Sequence, residues 1–233
     1  MKTLIGIRYN HRNRLDAYIP ETERFPCIVW FHGGGLEGGD KAEGAGSGLA
    51  ERFVRAGYAF VSANYRLYPE AKYPEYLYDA AEAVSFVRER LRGWQGSGEI
   101  IVAGRAAGAW LAAMLALNGR WLSAAGTDPG EISGWILEGG QMASHGSVIK
   151  YEQGYDPRLQ RIDEYAPLFY VGPETSFSRM LLVCRGEEKP CRAEQNMLLC
   201  QSVRSFCPQA DISFVRTETE TAFFREALRW LRR

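Results

Sequence analysis

The sequence predicts an α/β protein: a mostly parallel central sheet with helices on both faces. Three observations carry this. Six short runs are almost wholly apolar: "CIVWF" (27–31), "YAFVSANY" (58–65), "EIIVAG" (99–104), "ISGWILEG" (132–139), "RMLLVCRG" (179–186) and "DISFVRT" (211–217). Segments with helical apolar spacing lie between them, near 44–56, 74–92, 106–118, 191–206 and 220–232. Strands that are apolar on both faces and alternate with helices belong to a parallel sheet covered on both sides. Third, 233 residues with 46% hydrophobic content and no internal repeat suit one large domain, 1–233, with a substantial core.

In chain order, alternation in "TLIGIRY" (3–9) and "RLDAYIP" (14–20) around "NHRN" predicts an antiparallel strand pair at a sheet edge. The run 27–31 opens the parallel part and leads straight into "FHGGGLEGGDK" (31–41). In "EYLYDAAEAVSFVRERL", Ala80, Ala83, Val84, Val87 and Leu91 share one helical face. Residues 141–178 have no strong period and scattered Gly and Pro, so a small cap or lid insertion is expected there. It would sit above the carboxyl edge of the sheet, where open α/β folds bind ligands.

Composition narrows the function. Twenty-eight basic residues balance twenty-eight acidic ones, which gives no electrostatic case for nucleic acid or an anionic membrane surface. The start of the chain turns polar within ten residues, and the apolar run 106–117 is too short to span a bilayer. The expectation is a soluble, cytoplasmic protein with no cofactor. Cys27, Cys184, Cys191, Cys200 and Cys207 form no C-x-x-C and have no His nearby, so reduced thiols are expected rather than a metal site.

Two stretches carry chemistry. Three glycines directly after a strand, Gly33 to Gly35, allow a sharp turn with amide N–H groups unobstructed by side chains. Such donors can hold a developing oxyanion. His32 is expected to brace that loop through its ring nitrogens. The stretch 100–108, "IIVAGRAAG", reads as a strand that breaks at Gly104 and enters an Ala-rich helix. That strand–turn–helix is where a G-x-S-x-G nucleophile elbow belongs, yet its middle residue is Ala106.

Taken together, "HGGG" (32–35), "YRLYPEAKYPEYLYDA" (65–80) and "GRAAG" (104–108) resemble the α/β-hydrolase fold family, specifically carboxylesterases of the hormone-sensitive-lipase and acetyl-esterase type. "NRLDAYIP" (13–20) and "GDK" (39–41) match that family's entry strands and first loop. "GEEKPCRAE" (186–194) resembles its G-x-x-D-P-L-R-D-E segment, and "TAFFREALRWL" (221–231) its H-x-F segment with the last helix. The resemblance implies an α/β-hydrolase fold and a Ser-Asp-His triad. The triad positions hold Ala106, Lys189 and Thr221 instead, or Thr219 if the last alignment slips. Acyl transfer needs a nucleophile, a base and an acid to orient that base, and here all three are replaced.

The expected function is therefore a non-catalytic relative that binds a small molecule or a partner. Gly34, Gly35 and Ala107 would supply backbone donors, and Arg105 would add a cation if it turned toward the pocket. Lys189 would place another over the old triad. The fitting ligand is a small anion or an ester. The alternative is an active hydrolase of small acyl esters with a relocated catalytic group. Its base would be His145, the sole mobile candidate among three histidines, with Glu187 or Glu188 as a possible orienting acid.

Overall fold

In a computed structural model, which describes residues 1–186 and 189–233, eight strands form one sheet. They are β1 (Lys2–Arg8), β2 (Arg14–Ile19), β3 (Cys27–Phe31), β4 (Ala59–Ala63), β5 (Ile100–Arg105), β6 (Ile132–Glu138), β7 (Arg179–Arg185) and β8 (Asp211–Thr217). Their order is β1-β2-β4-β3-β5-β6-β7-β8. The pairs β1/β2 and β2/β4 are antiparallel, and every pairing from β4 to β8 is parallel. The helices are α1 (Glu43–Gly46), α2 (Leu49–Arg55), α3 (Glu75–Leu91), α4 (Ala107–Leu117), α5 (Arg120–Ala124), α6 (Gly146–Tyr151), α7 (Arg192–Phe206) and α8 (Glu220–Leu231).

The two-residue period of the strands divides the core. In β3, Cys27, Val29 and Phe31 join the apolar cluster under α3, α4 and α7, whereas Ile28 and Trp30 join the one under α2 and α8. β5 divides likewise, Ile100 and Val102 on one face and Ile101 and Ala103 on the other. α4 is buried from Ala107 to Ala116 and lies between sheet and outer helices, which explains a sequence with no polar face. α8 has one apolar stripe, Phe223, Ala227, Trp230 and Leu231, and buries that alone.

Four details differ from the sequence expectation. The helix expected over 44–56 is broken into α1 and α2 by Gly48, whose φ of 74° no helix accommodates. The run 58–65 pairs only as far as Ala63, because Asn64 turns its side chain to Asp40 and the backbone of Lys41. The short α5 has too few residues to show a period. Residues 141–178, expected as an aperiodic insertion, contain α6 and a single 3-10 turn, Pro167–Tyr170.

Candidate functional site

The carboxyl ends of β3, β5, β6 and β7 lie side by side, so the loops after them meet. The turn after β5 is set by packing. A Cβ at Gly104 would lie 2.4 Å from the Gly108 backbone, and one at Gly108 would lie 2.1 Å from the Phe31 carbonyl. Only glycines let strand, turn and helix approach this closely. The turn leaves Ala106 at φ 50° and ψ −107°, outside the regions open to an L-residue without strain. Its amide donates to the Glu138 carbonyl (2.8 Å), and its carbonyl accepts from Trp110 (3.0 Å), which fixes the geometry from both sides.

The glycine loop after β3 is equally determined. His32 Nδ1 donates to the Gly33 carbonyl at 2.7 Å while its ring stacks on Tyr65, and the Tyr65 hydroxyl donates to the His32 carbonyl at 2.9 Å. Gly34 has φ 107°, and a Cβ there would lie 2.0 Å from the Gly38 carbonyl oxygen. Among the described residues, no hydrogen-bond acceptor takes the amides of Gly34, Gly35 or Ala107. Those three donors and the Ala106 methyl line a cavity of about 810 Å³. Its opposite wall comes from residues 141–160, including Gln141, His145, Ser147 and Gln160, and from Lys189, Arg192 and Gln195. A second cavity of about 440 Å³, between α7, β8 and α8, shares no residue with it.

His145 is not mobile. It is 4% exposed and caps α6, with Nδ1 accepting from the Ser147 amide at 3.2 Å. Burial, with Arg192 and Lys189 nearby, holds its pKa down to about 3. Since Nδ1 is the acceptor of a neutral ring, Nε2 carries the proton. The nitrogen left to a ligand is a donor, so the ring has no lone pair free to act as a base.

Arg105 also differs from expectation. Its guanidinium turns away from the cavity, onto the Trp30 ring and among three carboxylates: Glu138 (2.8 Å), Glu43 (3.1 Å) and Glu220 (3.3 Å). Arg185 joins the cluster through Glu138 at 3.0 Å. Glu138 is fully buried, and burial pushes its carboxyl up against the opposing pull of both arginines. An arginine with three acids within reach stays among them, so Arg105 is not part of the cavity wall.

Lys189 is exposed and lines the cavity. Thr221 does not: its Oγ1 accepts from Arg52 of α2 at 3.3 Å, on the far side of α8's first turn. Thr219 is the N-cap of α8, accepting from the Ala222 amide. The residue after β8 that reaches the elbow strand is Glu220. Glu187 and Glu188 lie outside the described residues.

Several cavity residues carried no sequence signal. The Ser147 hydroxyl donates to the Gly35 carbonyl (2.5 Å) and lies 3.1 Å from Glu37, which joins α6 to the glycine loop. The first turn of α7 clamps the loop after β6. Arg192 donates to the Gly139 carbonyl (2.7 Å), Asn196 to the Gly140 carbonyl (2.8 Å), and Gln195 Oε1 accepts from Met142 and Ala143. The i, i+3, i+4 spacing of these three in one helix is the only signal they had.

A family model described as BD-FAE matches residues 15–126, just under half of the chain. That span holds the glycine loop and the elbow, and ends before Lys189 and Thr221. The esterase LipI of Mycobacterium tuberculosis is 37% identical over 102 residues, 43% of this chain and 32% of that protein. A probable isoprenylcysteine alpha-carbonyl methylesterase of Oryza sativa subsp. japonica is 35% identical over 131 residues, 54% of this chain and 30% of its own. The matched part thus spans about a third of these curated relatives. Among solved structures, a truncated carbohydrate esterase from gut microbiota superposes with a TM-score of 0.78 at 15% identity, covering 100% of this chain and 95% of its own. Esterase 2 of Thermogutta terrifontis gives 0.72 at 16%, covering 99% and 89%. The chain has the α/β-hydrolase fold and is related to the carboxylesterase-type esterases. No helix among the described residues is long and apolar enough to cross a membrane.

Proposed function

We propose that this esterase relative has lost its triad and uses the cleft to bind a small anionic or ester ligand without cleaving it. One observation carries the reading: a methyl group stands at the strained elbow position on the cavity wall. Methyl cannot attack a carbonyl, and among the described residues no neighbouring group takes over. The Ser147 hydroxyl spends its proton on the Gly35 carbonyl, and His145 offers a donor in place of a base. The amides of Gly34, Gly35 and Ala107, at the positive end of the α4 dipole, remain suited to an oxyanion or carbonyl oxygen.

Hydrolysis of p-nitrophenyl acetate by the native chain tests this. The expected rate equals that of a heat-denatured control. Saturable turnover that disappears in His145→Ala would establish a working hydrolase instead.

A further inference from the structure

We propose that the cavity selects a hydroxyl-rich organic anion, a carboxylate or a phosphate ester of sugar size, and rejects apolar acyl chains; this rests on the binding reading above. The first ground is the wall. Apart from glycine, alanine and proline, every described side chain lining it is polar or charged, with no branched aliphatic, Met, Phe, Tyr or Trp among them. An acyl chain buried there would gain little apolar contact and would strip water from carboxamides and charged groups.

The second ground is the sign of what the wall offers. Beside the three unpartnered amides stands His145, nine-tenths buried, its Nδ1 committed and only an N–H left to give. Lys189 and Arg192 both bear on that ring with positive charge. Among the described residues the wall has one carboxylate, Glu37, already engaged by the Tyr151 hydroxyl at 3.3 Å and by Lys150 at 3.6 Å. A surface of donors and cations matches oxygen acceptors bearing negative charge.

The third ground is fixed hydrogen-bonding groups beyond the anion position. Gln141 is oriented by the Ser144 carbonyl and the Gly146 amide, and Gln160 and Gln195 hold each other. Each carboxamide keeps unused donor or acceptor capacity, which suits hydroxyls. A volume of about 810 Å³ leaves room for a molecule well beyond a bare inorganic ion.

Isothermal titration of the full chain at pH 7 with four probes tests the selectivity: glucuronate, glucose 6-phosphate, neutral glucose, and octanoate as an apolar anion. The expected result is that glucuronate or glucose 6-phosphate binds at least tenfold tighter than glucose and octanoate, the tighter of the two identifying the anion. Lys189→Glu, at an exposed position that folding tolerates, should weaken that anion at least tenfold and leave glucose unchanged. His145→Phe should weaken it at least fivefold. Octanoate binding as tightly as the anionic sugars overturns the selectivity and leaves the binding reading standing. So does glucose binding as tightly, or both variants binding like the native chain. No heat from any probe overturns the binding reading itself.

Discussion

Ala106 and Arg105 are neighbours in sequence and belong to two different places. Ala106 faces an open, polar cavity whose donors are backbone amides. Arg105 faces a closed cluster of charged side chains that ties β5, β6 and β7 to α1 and α8 at the same edge of the sheet. The cavity side keeps the shape of an esterase because glycine packing dictates backbone position there. The cluster side is made of side chains alone, which can change while the backbone stays. Backbone geometry at the elbow is therefore set independently of the side chain at position 106.

The largest expected effect is on the packing that makes the elbow. Gly108→Ala should cost about 4 kcal/mol or abolish folding, since its Cβ would overlap the Phe31 carbonyl. A denaturant midpoint close to that of the native chain would show that the turn can relax. Next, Glu138→Ala should cost about 3 kcal/mol by stranding Arg105 beside its remaining partners. Lys189→Ala on the cavity wall should change urea stability by less than about 0.5 kcal/mol. Equal costs would erase the distinction between a structural cluster and a free wall.

The cavity's own histidine gives a pH signature. Folded His145 titrates near 3 against an ordinary value of 6.5, so protonation favours unfolding. Its stabilising contribution is complete above about 6.5 and falls by about 1.4 kcal/mol per pH unit as pH drops toward 3. The stability difference between the native chain and His145→Gln, read from urea titrations, should therefore be constant above about pH 6.5 and shift against the native chain as pH falls toward 3. Parallel curves would mean that the ring is solvated. At the elbow, Ala106→Gly is expected to stabilise by about 1 kcal/mol by releasing the positive-φ strain. A loss of stability would show that the elbow is unstrained.

How much of this the sequence could tell follows the same division. The elbow and glycine loop are visible because glycines at 34, 104 and 108 are local marks of a backbone requirement. The strands are visible because burial on both faces leaves unbroken apolar runs. The ion cluster is not, since residues 43, 105, 138, 185 and 220 meet only once the strand order is known. The family resemblance assigns Thr221 to the base position, but the phase of α8 turns it toward Arg52 and presents Glu220 to the elbow strand. The sequence offers His145 as a free base because nothing in it reveals that the Ser147 amide occupies Nδ1.

The most direct measurement is steady-state p-nitrophenyl acetate hydrolysis by Ala106→Ser, with its fold checked by circular dichroism. A hydroxyl placed at the elbow, beside the amide donors but with no base among the described residues to take its proton, should give no saturable turnover. Saturable hydrolysis by this single variant would mean that a proton acceptor stands in the cleft, and would contradict the account.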